Sequence, residues 1–341
     1  MDILRIAAMA AVVVIHAVAP VVETRTTDFG GATWWVANVV DASTRWSVPA
    51  FVMASGALLL DPARRMTVRS FYLRRLHRVG IPLIAWIAFY LVFREFYNAG
   101  GISPGQAASE IAPGSVFLHL YFLFILVGLY VVTPYLRVLT LHAPRRMLWA
   151  FTALMLALGV ADQAIGTLAG AGQPNAVTRF LPYLGYFVAG WLLRDVALTR
   201  RQVVLAVAGF LTSWAAIALG TGVVTDALGW TRTSGYLYGY LSPPVVLMSA
   251  SAYVLLRVLG TRVLRDASQA LVRRVQFVAG LTFGVYLVHP ALLLPLRRAT
   301  GIPADWAGML AMVLGSSAAV SAASLAISWL LRRIPLLRAT V

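Results

Sequence analysis

The sequence predicts an all-α fold, a polytopic membrane helical bundle of about ten transmembrane helices with both termini in the cytoplasm, N-in/C-in. Three observations carry that expectation. First, 60% of the 341 residues are hydrophobic, 12% are charged and the mean hydropathy is +0.81. A soluble domain with that balance would leave large apolar patches in water. Second, the apolar residues come in long runs, as a bilayer core of ~30 Å and ~20 helical residues requires. Third, the arginines between the runs are distributed asymmetrically. With the N-terminus inside, twenty fall in inner loops and ends and six in outer ones, with Arg5 and Arg45 left within spans. The inner set includes Arg64, Arg65, Arg74, Arg75 and Arg78, and the outer set is Arg25, Arg94, Arg179, Arg232, Arg297 and Arg298. Most loop acids, among them Glu23, Asp28, Glu95 and Glu110, fall outside.

The first span, 3–22, carries Arg5 and His16. Its Ala17-Val18-Ala19 loosely imitates a leader cleavage site, but Pro20 would follow the cut and His16 interrupts the apolar run, so the segment reads as a retained span. The second, 34–60, is long enough to tilt or break, and Pro49 favours a kink. Spans 71–93, 116–138 and 147–168 follow, then a short one at 180–194, then 202–222, 236–257, 276–296 and 304–331. The loops 94–115, 162–179 and 221–235 are rich in Gly, Ser, Thr and Pro and read as connections. Nothing divides the chain, so 1–341 reads as a single integral membrane domain.

Composition also excludes chemistries. With no cysteine there are no disulfides, thiol nucleophiles or Cys-ligated metals, and no metal site is expected. All 28 basic residues are arginine. A Walker-type phosphate loop and Schiff-base catalysis both need lysine and are excluded. The formal charge of +16 does not indicate nucleic acid, because the arginines flank apolar runs. It points to anionic lipid headgroups and to topology.

Ionisable groups at membrane depth are costly and mark function by default. Here they are Arg5, His16, Asp41, Arg45, His119 and His289, with Asn38 beside them and Arg75 and Arg78 at an inner boundary. Arg5 and His16 lie within about 20° of one helix face and ~16 Å apart along it. His16, Asp41 and His289 reach similar depths at ~1.5 Å per residue, with His119 nearer the outer surface. Such levelling is what a buried polar cavity would show. Asp41 and Arg45, spaced i, i+4, can pair on one helix face; alternatively Asp41 orients a histidine. Arg74, Arg75 and Arg78 either fix topology or grip phosphate.

The order of motifs resembles the membrane acyltransferase 3 family. Arg5 and His16 resemble its first-span Arg-x10-His signature. Val48-Pro49-Ala50-Phe51 with Ser55-Gly56 is similar to its second-span motif, and Arg75-Leu-His-Arg78 to its Arg-x-x-Arg motif. His119-Leu-Tyr-Phe with Tyr130 and Thr133-Pro134, and Phe283-Gly-Val-Tyr286-Leu-Val-His289-Pro290, resemble two later spans. The departures are Val52, Ala57 and Tyr121, where the family pattern has aromatics or Trp. The stretch from Ala37 to Arg45 and onward most resembles the surface-polysaccharide O-acetyltransferase branch, like those acting on enterobacterial common antigen.

The resemblance implies ten spans in a bacterial cytoplasmic (inner) membrane. It implies acetyl-CoA or another acyl-CoA as co-substrate and a glycan or glycolipid hydroxyl as acceptor. The partners are then acyl-CoA, the acceptor and membrane lipids, with no nucleic acid; a homo-oligomer is compatible with all of this. His16 and Arg5 are implied to be essential, with Arg75 and Arg78 on the donor. In the mechanism this suggests, His16 is general base or transient acyl acceptor, and Asp41 orients it. Ser55, Asn38 or Tyr286 stabilises the oxyanion, while Arg45, His119 and His289 shape the acceptor side. A transporter or flippase for an envelope precursor, without acyl-transfer chemistry, is the alternative that also explains buried charge.

Overall fold

The computed structural model describes residues 1–23, 29–63, 66–98, 103–114, 116–172 and 175–341. Arg25, Asp28, Arg64 and Arg65, which entered the orientation count, lie outside the described residues. The described chain is helical, with no strand among those residues. In order the helices are α1 (Asp2–Glu23), α2 (Ala32–Thr44), α3 (Ser47–Leu59), α4 (Val68–Arg75), α5 (Ile81–Asn98), α6 (Pro104–Ile111) and α7 (Tyr121–His142). They continue as α8 (Arg145–Leu168), α9 (Leu184–Leu192), α10 (Arg200–Leu228), α11 (Arg232–Gly235), α12 (Pro243–Arg265), α13 (Gln269–Thr300) and α14 (Trp306–Arg333). Among the described residues, eight helical stretches are long and apolar enough to cross a membrane: α1, α4 through α5, α7, α8, α10, 234–265, α13 and α14. Many of their large apolar side chains point outward, among them Ile84, Phe96, Leu154, Leu205, Val223 and Leu314. That is the pattern of a multi-pass membrane protein, whose helices face lipid rather than water.

The two remaining expected spans take other forms. The 34–60 run is broken into α2 and α3, and the break falls at Arg45 and Trp46 rather than at Pro49. An interior proline withholds the N–H that the carbonyl four residues earlier would accept, and its ring crowds that carbonyl. Residue 45 is that position, so Pro49 sits harmlessly in the first turn of α3 while the chain bends before it. The 180–194 run is a 3-10 turn, Leu181–Tyr183, followed by α9, whose nine residues cover only ~14 Å. Helix α9 packs tightly on α3, and nearly all its residues are buried. Two glycines permit that crossing. A Cβ on Gly56 would collide with the Phe187 carbonyl, and one on Gly190 with the Met53 backbone. Close approach through small residues is how helices gain contact in lipid, where hydrophobic burial supplies little.

Two more departures bear on function. The expected span 116–138 begins as a helix only at Tyr121, and residues 116–120 form a turn that carries His119 into the core at 1% exposure. Between α4 and α5, Leu76–Gly80 is a single π-helical turn, closed by the Ile81 N–H donating to the Leu76 carbonyl. Pro82 is the cause to which the ladder responds: it offers no N–H to the Arg78 carbonyl, so the turn widens. The 94–115 connection holds α6, tied down by Arg94, which donates to Glu110 at 2.9 Å and also to the Val116 carbonyl.

Candidate active site

Helices α1, α3, α4, α7 and α13 and the π turn enclose a cavity of about 230 Å³. Its polar wall holds Arg5, Ser55, Arg75, Arg78, Tyr130, Thr282 and Tyr286, and its apolar wall includes Phe51, Leu58, Phe122 and Leu126. Arg5 donates to the Thr282 hydroxyl at 3.4 Å and lies 4.0 Å from Asp2. The Arg75 guanidinium stands 5.7 Å from the Phe71 ring centroid and 5.6 Å from that of Tyr130. Three guanidinium groups therefore meet around one pocket, with one weak carboxylate contact to them among the described residues. Such a concentration of donors fits an anion, most readily phosphate. Five of the candidate site residues, Arg5, Ser55, Arg75, Arg78 and Tyr286, are brought together here, with the motif residues Phe51, Tyr130 and Phe283 beside them.

Beside the cavity, three histidines converge. The His16 ring centroid lies 5.0 Å from that of His289 and 6.4 Å from that of His119, and His119 is 5.3 Å from His289. His119 was expected nearer the outer surface; the 116–120 turn brings it against the other two. Tyr286 connects the two regions. It lines the cavity, its hydroxyl donates to the His119 carbonyl, and its ring centroid is 5.0 Å from the His119 ring. Tyr90 closes the far side of His119 at 5.1 Å, stacks on Phe117 and donates to the Leu287 carbonyl at 2.7 Å.

The hydrogen bonds assign the tautomers of two imidazoles. The Nδ1 of His16 is 2.8 Å from the Val12 carbonyl and that of His289 is 3.1 Å from the Val285 carbonyl. A carbonyl can only accept, so in the neutral ring Nδ1 carries the hydrogen and Nε2 presents its lone pair. The His289 Nε2 and both ring nitrogens of His119 are buried with no partner among the described residues. A group of neutral imidazoles with free nitrogens can accept a proton from a hydroxyl and hold a second hydroxyl nearby.

Asn38, Asp41 and Arg45 form a separate network and do not line the cavity. Asp41 accepts from Arg45 Nη2 at 2.5 Å, and both residues are buried. The guanidinium lies 4.3 Å from the Tyr238 ring centroid. Tyr238 donates to the Asn38 side-chain carbonyl, and Asn38 donates to the Ala218 carbonyl at 2.9 Å. The ion-pair geometry is thus present, and the hydrogen bond orienting His16 comes from Val12 within α1. Breaking a buried pair by removing one partner costs roughly 3–5 kcal/mol, whereas replacing both can be near neutral. Asp41→Asn is therefore expected to lower the thermal midpoint sharply, and Asp41→Leu with Arg45→Met to restore it. Acyl transfer that stays absent in the stable double variant would show that the Asp41–Arg45 pair acts on chemistry as well.

Thr282, Tyr90 and Val12 were not singled out from sequence. Thr282 stands one residue before a recognised motif, and Tyr90 is one of two phenols, with Tyr72, within the apolar run 71–93. A stronger signal was available. Pro20, Pro49, Pro82, Pro134 and Pro290 each follow by four residues a site or motif residue: His16, Arg45, Arg78, Tyr130 and Tyr286. Each proline releases the carbonyl of that residue from the helical ladder.

The acyltransferase 3 family model, described as an acyltransferase domain, matches residues 1–333. No curated protein and no solved structure matches the chain. The match runs from α1 to the end of α14, across the cavity, the histidine cluster and the bundle that holds them. The chain belongs to the acyltransferase 3 family and is a membrane acyltransferase.

Proposed function

We propose that the chain moves an acyl group, most simply acetyl, from cytoplasmic acyl-CoA to a hydroxyl of a cell-surface or lipid-linked glycan. One observation supports this above the others. The cavity lined by Arg5, Arg75 and Arg78 ends at Tyr286, and Tyr286 touches the histidines that surround His16. The arginines hold the CoA phosphates, and the pantetheine arm runs toward His16, ~16 Å along α1 from Arg5. The Nε2 of His16 takes the acceptor proton as the hydroxyl oxygen attacks the thioester carbonyl. The C–O bond forms, the C–S bond breaks, and the proton returns to the leaving thiolate as free CoA. A variant in which the imidazole first accepts the acyl group uses the same atoms. Ser55 and Tyr286 on the cavity wall are the candidate oxyanion donors, with Asn38, which lies outside the cavity lining, a more remote one.

In this reading the cavity opens to the cytoplasm, and both termini lie there. The α2–α3 pair and residues 180–194 complete about ten crossings of a bacterial cytoplasmic membrane. The discontinuous α2–α3 pair favours a second reading, a transporter or flippase, because such proteins build sites at broken helices. Acetyl-CoA separates the two. It is expected to raise the unfolding temperature of the detergent-purified protein, and acceptor addition should release free thiol. Arg75→Gln with Arg78→Gln should lose the protection, about 2.7 kcal/mol at a hundredfold excess over Kd. Neither protection nor thiol release in the wild-type chain would decide for transport.

A further inference from the structure

We propose that Arg297 is a positioning residue for His16, acting through the backbone carbonyl that Pro20 releases; this rests on the acyl-transfer reading of His16. In an α-helix the carbonyl of residue 16 accepts from the N–H of residue 20. Residue 20 is a proline inside α1, so that bond is absent and the ring pushes the carbonyl outward. Within a membrane span a freed carbonyl needs a donor from the protein itself. Arg297, near the end of α13, supplies it: its Nη1 donates to the His16 carbonyl at 3.3 Å.

The Arg297 guanidinium lies within ion-pair distance of no carboxylate among the described residues. Its hydrogen bond to main chain is thus a tie between helices rather than a charge pair. Position 297 also stands where an arginine could simply reach for lipid headgroups, but a snorkelling side chain needs no protein carbonyl. The tie works with two others. Val12 holds the His16 ring through Nδ1 from one turn below, and His289, two turns below Arg297 on α13, packs on the same ring at 5.0 Å. Helix α13 therefore fixes His16 twice, at the ring through His289 and at the main chain through Arg297. Pro20 makes the second tie necessary. A helix without Pro20 would satisfy its own carbonyl.

This dependence gives the test. Three variants are compared with wild type: Arg297→Met, Pro20→Ala, and both together. Detergent-purified proteins are followed by thermal unfolding, and cells by acetyl content of envelope glycan using mass spectrometry. Arg297→Met is expected to lower the unfolding temperature and to reduce acyl transfer on the order of tenfold or more, as a displaced catalytic group does. Adding Pro20→Ala returns an N–H to the His16 carbonyl and should restore both. Equal losses in the single and double variants would overturn the proposal and assign Arg297 to headgroup or packing contacts. Restored stability with unrestored transfer would overturn the positioning role. If the wild-type chain transfers no acyl group yet the unfolding temperatures show the rescue, the acyl-transfer reading falls and the Arg297–carbonyl tie stands.

Discussion

Replacing His16 by alanine is expected to abolish acyl transfer, by roughly 10²- to 10⁴-fold for loss of a general base, while the chain still folds. His16 is half-buried, its one side-chain hydrogen bond among the described residues is to its own helix, and removal of a neutral imidazole leaves no charge unpaired. The stability loss should therefore be modest, and acetyl-CoA protection against unfolding should survive, because the arginine cavity is untouched. Glycan acetylation read by mass spectrometry measures the first effect and thermal unfolding the second. His119→Phe and His289→Phe keep a planar ring in place of each imidazole and remove the unpartnered nitrogens. They are expected to weaken acceptor use less severely than His16→Ala does. Wild-type acetylation in His16→Ala would end the mechanism.

The second large effect concerns folding. Gly56→Val or Gly190→Val is expected to prevent recovery of a monodisperse protein, because a Cβ at either position meets backbone rather than a movable side chain. Helices α3 and α9 would have to part, and the cost should reach or exceed ~3 kcal/mol, the upper end for overpacking. Ser55, the neighbour of Gly56, faces the cavity instead, so Ser55→Ala should fold normally. The Ser-Gly pair thus serves two neighbours at once, a ligand cavity and a helix crossing. Gly315→Ala on α14 is the control. Nothing lies within 4 Å of its Cβ position, and a gain of up to about 1 kcal/mol is expected from helix propensity. The measurement is yield after size-exclusion chromatography together with the unfolding temperature.

Much of the site was legible because hydrocarbon makes each polar residue conspicuous. His16 and Arg5 stand out against an apolar run, and so do His289 and Asp41. Their depths could be counted, since a helix rises ~1.5 Å per residue whatever surrounds it. Other features were hidden by their dependence on backbone irregularity. The entry turn that carries His119 inward looks apolar enough to be helix, and hydropathy does not distinguish the two. The π turn at Leu76–Gly80 and the break at Arg45 both follow from prolines, yet each shows its effect four residues upstream of the proline, where composition gives no sign. The short α9 is stable only because α3 and α8 cover it.

Sequence by itself determined the solvent class, the helical architecture and the cast of polar residues. The physical reason is that lipid leaves backbone groups no partner but each other, so a long apolar run must be helical. The tertiary structure alone decided which of those residues meet. It placed Arg5, Arg75 and Arg78 around one cavity and joined His16 to His119 and His289, whereas the Asp41–Arg45 pair is local and was legible from its i, i+4 spacing. Depth is a property of one helix, but proximity depends on how each helix is rotated against its neighbours, and that is set by packing at glycines, prolines and half-buried ties such as Arg297 to His16.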